Sequence, residues 1–84
     1  MIHKTMKINN ELGLHSRTAA LFVQLCSKFK SEIYIEKDDF QINGKSIMGV
    51  MALGASLGET VNIIVSGSDE QEAMEEIELF FTNL

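Results

Sequence analysis

The segment ELGLHSRTAALFVQLCSKF, residues 11–29, decides the fold and contains the first candidate for a functional site. It starts as a loop around Gly13 and continues as a helix from about Ser16, which places His15 near the N-cap position. Arg17 follows two residues later. A helix N-terminus attracts anions because its first N–H groups have no internal partner. The buried stripe expected on this helix is Ala19, Phe22, Cys26 and Phe29.

Alternating apolar residues on both sides of this helix predict four strands. One strand precedes the helix, and Lys4 interrupts its alternation. Two strands follow, at 32–36 and 40–43, separated by a KDD turn, and a fourth lies in ETVNIIVSG (59–67). The expected inward-facing residues are Ile2, Met6, Ile8, Ile33, Ile35, Val61, Ile63 and Val65.

Two further helices complete the pattern. GKSIMGVMALG (44–54) predicts a short helix with Ser46 as its N-cap. In SDEQEAMEEIELFFTNL (68–84), Ser68 and Gln71 have the spacing of a capping box. The element order therefore predicts an α+β protein whose antiparallel sheet is covered by helices on one face. The buried stripe expected on the last helix is Ala73, Ile77, Phe80 and Leu84.

The composition predicts one small domain, residues 1–84, and excludes several classes of function. Twelve acidic and seven basic residues give a net charge of −5, which argues against a nucleic-acid-binding protein because such a protein needs a basic face. No lysine or arginine follows Lys45. The single cysteine, Cys26, excludes an intramolecular disulfide. No membrane span or signal peptide is evident, so we expect a cytoplasmic protein.

His15 is the residue whose position suggests a reaction. A neutral imidazole is a nucleophile, and a phosphoryl group that it accepted would lie against the free N–H groups of the helix start. Arg17 would add a charge-assisted contact. The helix dipole contributes about 0.3–1 kcal/mol, which orients a phosphate without trapping it. From local chemistry alone, a solvated surface histidine is the commoner alternative, and His3 is assigned no role.

Two motifs resemble a known family. GLHSRTAALFVQ (13–24) resembles the active-site segment of the HPr family, the histidine-containing phosphocarriers of the bacterial phosphoenolpyruvate:sugar phosphotransferase system. GKSIMGVMALGA (44–55) resembles the second signature of that family, at the usual separation. The resemblance covers essentially the whole chain. It implies an open-faced β-sandwich, in which a four-stranded antiparallel sheet carries three helices on one face.

The resemblance implies a phosphoryl carrier and not an enzyme. A phosphoryl group derived from phosphoenolpyruvate would pass from enzyme I to Nδ1 of His15, and then to the IIA domain of a sugar permease. Arg17 carries over as the residue that contacts the phosphate and assists transfer, and the helix N-terminus at Ser16 and Thr18 supports the phosphate. Gly54 matches a position near the active site of the family. The family also implies a monomer with no cofactor and no metal.

Ser46 is the second site that the resemblance implies. In one branch of the family, the HPr kinase/phosphorylase modifies this serine, which impairs transfer to the histidine and creates a corepressor for a catabolite-control transcription factor. A phosphate adds about −1.5 to −2 charges and is tolerated at a helix N-terminus, so an approaching acidic partner would sense it. The neighbouring residues expected to be exposed and to dock partners are Ile47, Met48 and Met51, whereas Val50 and Leu53 are expected in the core.

The chain departs from the family pattern at Thr18, where proline is usual. Proline fits the first turn of a helix, so we expect Thr18 to loosen that turn and Thr18→Pro to raise the thermal midpoint. Asp39 stands at a turn position where glycine is common, and Gly44 stands where leucine is common, two residues before Ser46. These differences leave open a specialised paralogue that serves signalling or a dedicated phosphorelay, although the purely regulatory paralogues lack His15.

Two alternatives from other classes share the element order. An RNA-recognition module would need aromatic residues on its central strands and a basic face, and the sequence has neither. A small-molecule regulatory domain would usually be attached to an enzyme. A folded protein that forms no phosphohistidine would be the first observation in favour of either alternative.

Overall fold

Four strands and three helices form the computed structural model, which describes residues 1–84. The strands make one antiparallel sheet in the order β1–β4–β2–β3. This arrangement confirms the predicted βαββαβα order and the open-faced α+β architecture. None of the helices combines the length and the apolar character needed to cross a membrane. In chain order the elements are β1 (Ile2–Lys7), α1 (Ser16–Cys26), β2 (Glu32–Lys37), β3 (Phe40–Asn43), α2 (Ile47–Leu53), β4 (Thr60–Ser66) and α3 (Glu70–Thr82).

The sheet has one buried face and one open face. Val61, Ile63 and Val65 of β4 are buried at alternate positions, as predicted. Ile33 and Ile35 of β2 are buried beside them, paired with Val65 and Ile63. The helices cover this buried face: α3 packs against β1 and β4, and α2 packs against β2 and β3. The other face of the sheet carries no helix.

The structure shows how β1 accommodates Lys4, the charged residue that interrupts its apolar alternation. It pairs with Ile63 across the sheet and therefore lies on the helix-covered face. Its Nζ lies 2.7 Å from Oε1 of Glu78 in α3, so the charge at this position has a partner at the edge of the core. Both side chains remain partly exposed, which limits the contribution of the ion pair to stability.

An aromatic cluster joins α1 to α3. The ring centroid of Phe22 lies 5.6 Å from that of Phe80 and 5.7 Å from that of Phe81, in tilted geometry. Phe80 and Phe81 meet edge-on at 5.5 Å. Such pairs contribute about 0.5–1.5 kcal/mol beyond their buried area. The stripe predicted for α1 is confirmed at Ala19, Phe22 and Cys26, while Phe29 is only partly buried.

The start of α3 differs from the prediction. Asp69 is the N-cap and makes no side-chain capping bond, so the predicted capping box of Ser68 and Gln71 is wrong. The Asp69 carboxylate instead accepts hydrogen bonds from the backbone N–H groups of Lys30, at 2.8 Å, and Ser31, at 2.9 Å. Distant backbone donors have therefore displaced the local capping pattern at this helix.

The buried stripe of α3 is wider than predicted. Because α3 packs against both the sheet and α1, its core face spans neighbouring positions on the helix. Ala73 and Ile77 are buried as predicted, but Phe80 and Leu84 are only partly buried. The fully covered positions that the prediction missed are Met74 and Phe81.

The short helix α2 begins and ends as the sequence predicts. Ser46 is its N-cap, and the Oγ of Ser46 accepts a hydrogen bond of 3.2 Å from the backbone N–H of Gly49. Gly54 ends the helix in the left-handed conformation, with φ of 64°, which glycine adopts without steric cost. Val50 and Leu53 are buried, as expected.

Candidate functional site

His15 is the N-cap of α1, as predicted. Its extended backbone, with φ of −88° and ψ of −174°, turns the chain into the helix that begins at Ser16. The Nδ1 of His15 accepts a long hydrogen bond of 3.4 Å from the backbone N–H of Arg17. Because an N–H group donates to Nδ1, the proton of the neutral ring is assigned to Nε2. The unprotonated nitrogen of the ring therefore faces the helix N-terminus.

The loop before His15 is held against the loop that follows α2. The backbone N–H of Leu14 donates to the carbonyl of Ala55 at 2.9 Å. Gly13 has a φ of +65°, and a Cβ there would lie 2.3 Å from the same carbonyl oxygen. Only glycine permits this approach, which joins the residues directly before His15 to Ala55, the residue directly after Gly54.

The side chain of Thr18 ties the first turn of α1 to the preceding loop, which argues against the expectation that Thr18 loosens this turn. Its side chain is buried, and its hydroxyl donates a hydrogen bond of 2.7 Å to the carbonyl of Gly13. The same oxygen accepts a hydrogen bond of 3.1 Å from the backbone N–H of His15. The threonine therefore adds two connections that a proline at this position lacks.

Arg17, two residues after His15, carries a positive charge that has no ion-pair partner. Arg17 and Ser16 are exposed, and the ion pairs of the molecule do not include the Arg17 guanidinium. No side-chain hydrogen bond links Arg17 to His15, so the resting geometry leaves the guanidinium free to meet an incoming anion. The arrangement combines a nucleophilic nitrogen, a helix N-terminus and an exposed cation without an ion-pair partner, which suits reversible acceptance of a phosphoryl group.

A polar cluster that the sequence analysis did not identify supports the loop after α2. The Nζ of Lys37 lies 3.3 Å from the carbonyl oxygen of Gly54 and 3.2 Å from Oε1 of Glu59. The same carboxylate oxygen accepts the backbone N–H of Ser56 at 2.6 Å. The hydrogen bond from Ser56 is the largest cause that lowers the pKa of Glu59, and Lys37 adds to it. Only the folded chain brings Lys37 to the other three residues, which are close together in the sequence.

The second predicted site lies on α2. Ser46 is half-buried, and the residues after it are exposed, as expected: Ile47 at 37%, Met48 at 79% and Met51 at 44%. Since α1 packs against α2, this apolar surface adjoins the helix that carries His15. Gly44 is buried, and a Cβ there would lie 3.0 Å from the Ile33 side chain, so its missing side chain does not alter the α2 surface.

Two exposed leucines were missed by the sequence analysis. Leu12 is 72% exposed in the loop before His15, and Leu57 is 53% exposed in the loop after Gly54. The hydrogen bond from Leu14 to Ala55 joins these two loops. The sequence signal that could have identified them is a large apolar residue in a loop among polar residues and glycines. Exposed apolar residues of this kind often mark docking surfaces, so both leucines are further candidates for contact with partners.

The site is a surface and not a pocket. The largest cavity, about 460 Å³, lies between α1 and α3 and is not lined by His15 or Arg17. No cluster of three His, Cys, Asp or Glu side chains is placed to bind a metal ion. Cys26 is buried, and burial raises the pKa of its thiol to about 12, which leaves it without nucleophilic character.

An open-faced sandwich with a histidine at the N-cap of its first helix has the architecture of a small phosphocarrier protein. A family model described as "PTS HPr component phosphorylation site" matches residues 2–83. The chain belongs to the HPr family of phosphocarriers, whose members are carriers and not enzymes.

Similar proteins include both phosphocarriers and regulatory relatives. The phosphocarrier protein HPr of Treponema pallidum is 45% identical over 83 residues, covering 99% of this chain and 94% of the relative. The HPr-like protein Crh of Halalkalibacterium halodurans is 49% identical over 80 residues, covering 95% of each chain. The crystal structure of HPr-C-His from Thermoanaerobacter tengcongensis superposes with a TM-score of 0.96 at 47% identity, covering 99% of this chain and 93% of the other. HPr from that organism has also been solved as a dimer, with a TM-score of 0.75.

Proposed function

We propose that His15 accepts a phosphoryl group from phosphorylated enzyme I and passes it to the IIA domains of sugar permeases. The observation that carries this proposal is the hydrogen bond from the Arg17 N–H to His15 Nδ1, which leaves Nδ1 unprotonated at a helix N-terminus. An anion formed on Nδ1 would replace the ring nitrogen as the acceptor for the helix N–H groups. Membership of the HPr family supports the same assignment.

The transfer step needs no proton movement at the reacting nitrogen. The Nδ1 lone pair of His15 attacks phosphorus, the Nδ1–P bond forms, and the bond from phosphorus to the enzyme I donor atom breaks with its electron pair leaving to the donor. The proton on Nε2 stays in place. The N–H groups of Ser16 and Thr18 in the first turn of α1, together with the Arg17 guanidinium, offset the charge of the phosphoryl oxygens. Each contact is weak enough to be exchanged when the next acceptor approaches.

We further propose that Ser46 is a regulatory phosphorylation site for an HPr kinase/phosphorylase. Ser46 is half-buried as the N-cap of α2, directly before Ile47 and Met48. A phosphate there would place about −1.5 to −2 charges at the edge of the exposed apolar surface. It would repel an acidic phosphotransfer partner and create a recognition feature for a catabolite-control transcription factor. Phosphorylation of Ser46→Ala by that kinase would contradict the assignment.

A specialised regulatory role is the second candidate function. The H. halodurans relative named Crh is as similar to this chain as the relatives named HPr. The presence of His15 favours a phosphotransfer role in either case. A complementation test distinguishes a general carrier from a specialised regulator. The chain is expressed in a host that lacks its own HPr, and growth is measured on a sugar carried by the phosphotransferase system. Only a general carrier restores that growth.

We propose that the protein acts as a monomer in the cytoplasm, without binding nucleic acid or a membrane. A carrier must present one exposed surface to several partners in turn, which a monomer does most simply. A relative has been solved as a dimer, so the oligomeric state is a point to measure. Sedimentation velocity over a range of concentrations gives a single monomeric species if the proposal holds.

Phosphoryl labelling tests the main proposal. The wild-type protein is incubated with enzyme I and phosphoenolpyruvate, and the label is challenged with acid and with alkali. A phosphohistidine is lost in acid and survives alkali, so acid-labile label on wild type and none on His15→Ala is the expected result. Label that persists on His15→Ala, or no label on folded wild-type protein, contradicts the proposal.

A further inference from the structure

We infer that Thr18 is a positioning residue for phosphoryl transfer, whose hydroxyl holds His15 with Nδ1 facing the helix N-terminus. This inference rests on the proposed function of His15 and deepens it. Thr18 is the third residue of α1, and its hydroxyl bonds to Gly13 and to His15 itself. It donates to the carbonyl of Gly13 at 2.7 Å and accepts from the backbone N–H of His15 at 3.1 Å.

The Thr18 hydroxyl connects the first turn of α1 to the loop before His15, which other hydrogen bonds already hold in place. The carbonyl of Gly13 also accepts a hydrogen bond of 2.8 Å from the Asn10 side chain. The next residue, Leu14, is bound to Ala55. His15 is held on its helical side, where its carbonyl accepts a hydrogen bond of 2.7 Å from the backbone N–H of Ala19. On its loop side, the backbone N–H of His15 is bonded only to the Thr18 hydroxyl, and the ring is bonded only at Nδ1. The orientation of His15 therefore depends on the Thr18 hydroxyl more than on any other side chain.

The ring contact is too weak to hold the imidazole by itself. The Arg17 N–H lies 3.4 Å from Nδ1, at the long limit for a hydrogen bond. The ring keeps this contact because the backbone of His15 is held in the extended N-cap conformation. Without the Thr18 hydroxyl, the backbone of His15 gains freedom on its loop side, and the ring exchanges between tautomers and rotamers. A fraction of molecules then presents a protonated Nδ1, which has no lone pair for attack on phosphorus.

Burial keeps water from replacing these contacts. Thr18 is only 9% exposed, whereas Ser16 and Arg17, the two residues directly before it, are exposed. A hydroxyl in this environment exchanges its partners rarely, so it fixes geometry without taking part in the chemistry. The role is distinct from that of the Thr18 backbone N–H, which is a candidate phosphate contact and is retained when valine, alanine or serine replaces threonine.

A set of matched variants separates the hydroxyl from the rest of the side chain. Thr18→Val removes the hydroxyl at nearly constant shape, and Thr18→Ser keeps it. Thr18→Ala differs from Thr18→Ser by one oxygen, so this pair decides the question if Thr18→Val does not fold. Thr82→Val is the remote control, because the Thr82 hydroxyl also donates to a backbone carbonyl, that of Glu78 at 2.8 Å, near the end of α3.

Two measurements test the inference. In steady-state transfer from phosphorylated enzyme I, Thr18→Val and Thr18→Ala are expected to lower kcat by roughly tenfold with KM unchanged. This loss is smaller than the roughly 100-fold cost of a 1 Å misplacement. Nitrogen NMR of the neutral His15 ring is expected to show Nδ1 as the unprotonated nitrogen in wild type and Thr18→Ser, and a mixture of tautomers in Thr18→Val and Thr18→Ala.

The outcomes separate this inference from the proposed function. If Thr18→Ala and Thr18→Ser give the same kcat and the same ring spectrum, Thr18 is not a positioning residue, even though His15 is the acceptor. If Thr82→Val lowers kcat as much as Thr18→Val, the effect is general destabilisation and the inference is wrong. If wild-type protein accepts no phosphoryl group, the proposed function fails. The NMR spectrum then tests the positioning role separately: a ring spectrum in Thr18→Ala that is the same as in wild type would overturn it.

Discussion

The Ser31 hydroxyl donates a hydrogen bond of 2.5 Å to Oδ1 of Asp69, across 38 residues of sequence. The backbone N–H groups of Lys30 and Ser31 donate to the same carboxylate. Three donors from the turn after α1 therefore converge on the N-cap residue of α3. They lower the pKa of Asp69 from 3.8 to about 2, with the Ser31 hydroxyl as the largest cause. This contact fixes one end of α3 over the sheet.

The Asp69 contact predicts how stability responds to acid. Because the pKa of Asp69 is lowered on folding, its contribution is complete above the unfolded value near 3.8 and is lost as the pH falls towards about 2. Asp69→Asn is therefore expected to be less stable than wild type at neutral pH, and the difference is expected to shrink in acid. Urea unfolding across this pH range measures it. Asp39→Asn, in the exposed β2–β3 turn, is the control; a deficit for Asp69→Asn that is independent of pH would contradict the assignment.

The loop before His15 closely approaches the loop after α2 at Gly13. Alanine is therefore expected to destabilise the protein more at Gly13 than at Gly58. Gly13 and Gly58 both have positive φ, of +65° and +86°, so alanine is strained at either position. A Cβ at Gly13 would lie 2.3 Å from the Ala55 carbonyl oxygen, whereas a Cβ at Gly58 meets nothing within 4 Å. Gly58→Ala is expected to cost about 1–2 kcal/mol of unfolding free energy, and Gly13→Ala at least 1 kcal/mol more. Equal costs in denaturant unfolding would show that the two loops separate freely.

The contacts of Thr18 reverse the stability prediction made from the sequence. Thr18→Pro removes two hydrogen bonds, worth about 1 kcal/mol each, and stiffening of the unfolded chain returns about 0.4–1 kcal/mol. The net loss of about 1 kcal/mol lowers the thermal midpoint by roughly 4–8 °C for a domain of this size. Differential scanning calorimetry of wild type, Thr18→Pro and Thr18→Ser shows whether proline lowers or raises the thermal midpoint. A midpoint above that of wild type would restore the original expectation that proline fits better.

Local patterns in the sequence were sufficient for most of the fold. The alternation at Val61, Ile63 and Val65 and the stripe through Phe22 depend only on which face of an element is covered, and periodicity reports that directly. The N-cap positions of His15 and Ser46 followed from local turn chemistry. The exposure of Met48 followed from the excess of apolar residues on a short helix.

What could not be predicted depends on partners that are distant in the sequence. The predicted capping box of Ser68 and Gln71 fails because Asp69 is the N-cap, and its carboxylate is bonded to the N–H groups of Lys30 and Ser31. No local pattern carries that information. Thr18 was expected to loosen the first turn of α1, but its hydroxyl bonds to the Gly13 carbonyl once the loop before His15 has closed. Side-chain hydrogen bonds of this kind become visible only in three dimensions.

The exposed surface of α2 predicts a change in affinity without a change in stability. Met48 is 79% exposed, so Met48→Lys removes little packing and is expected to shift the unfolding free energy by less than about 0.5 kcal/mol. If this surface docks partners, the same change weakens binding of enzyme I by about tenfold or more, because a charge replaces an apolar contact at an interface. Leu79→Lys is the matched control, since Leu79 is 55% exposed on α3 and lines the groove between α1 and α3. Isothermal titration calorimetry with enzyme I compares the two. Loss of affinity in Leu79→Lys with normal binding by Met48→Lys would move the docking surface from α2 to that groove.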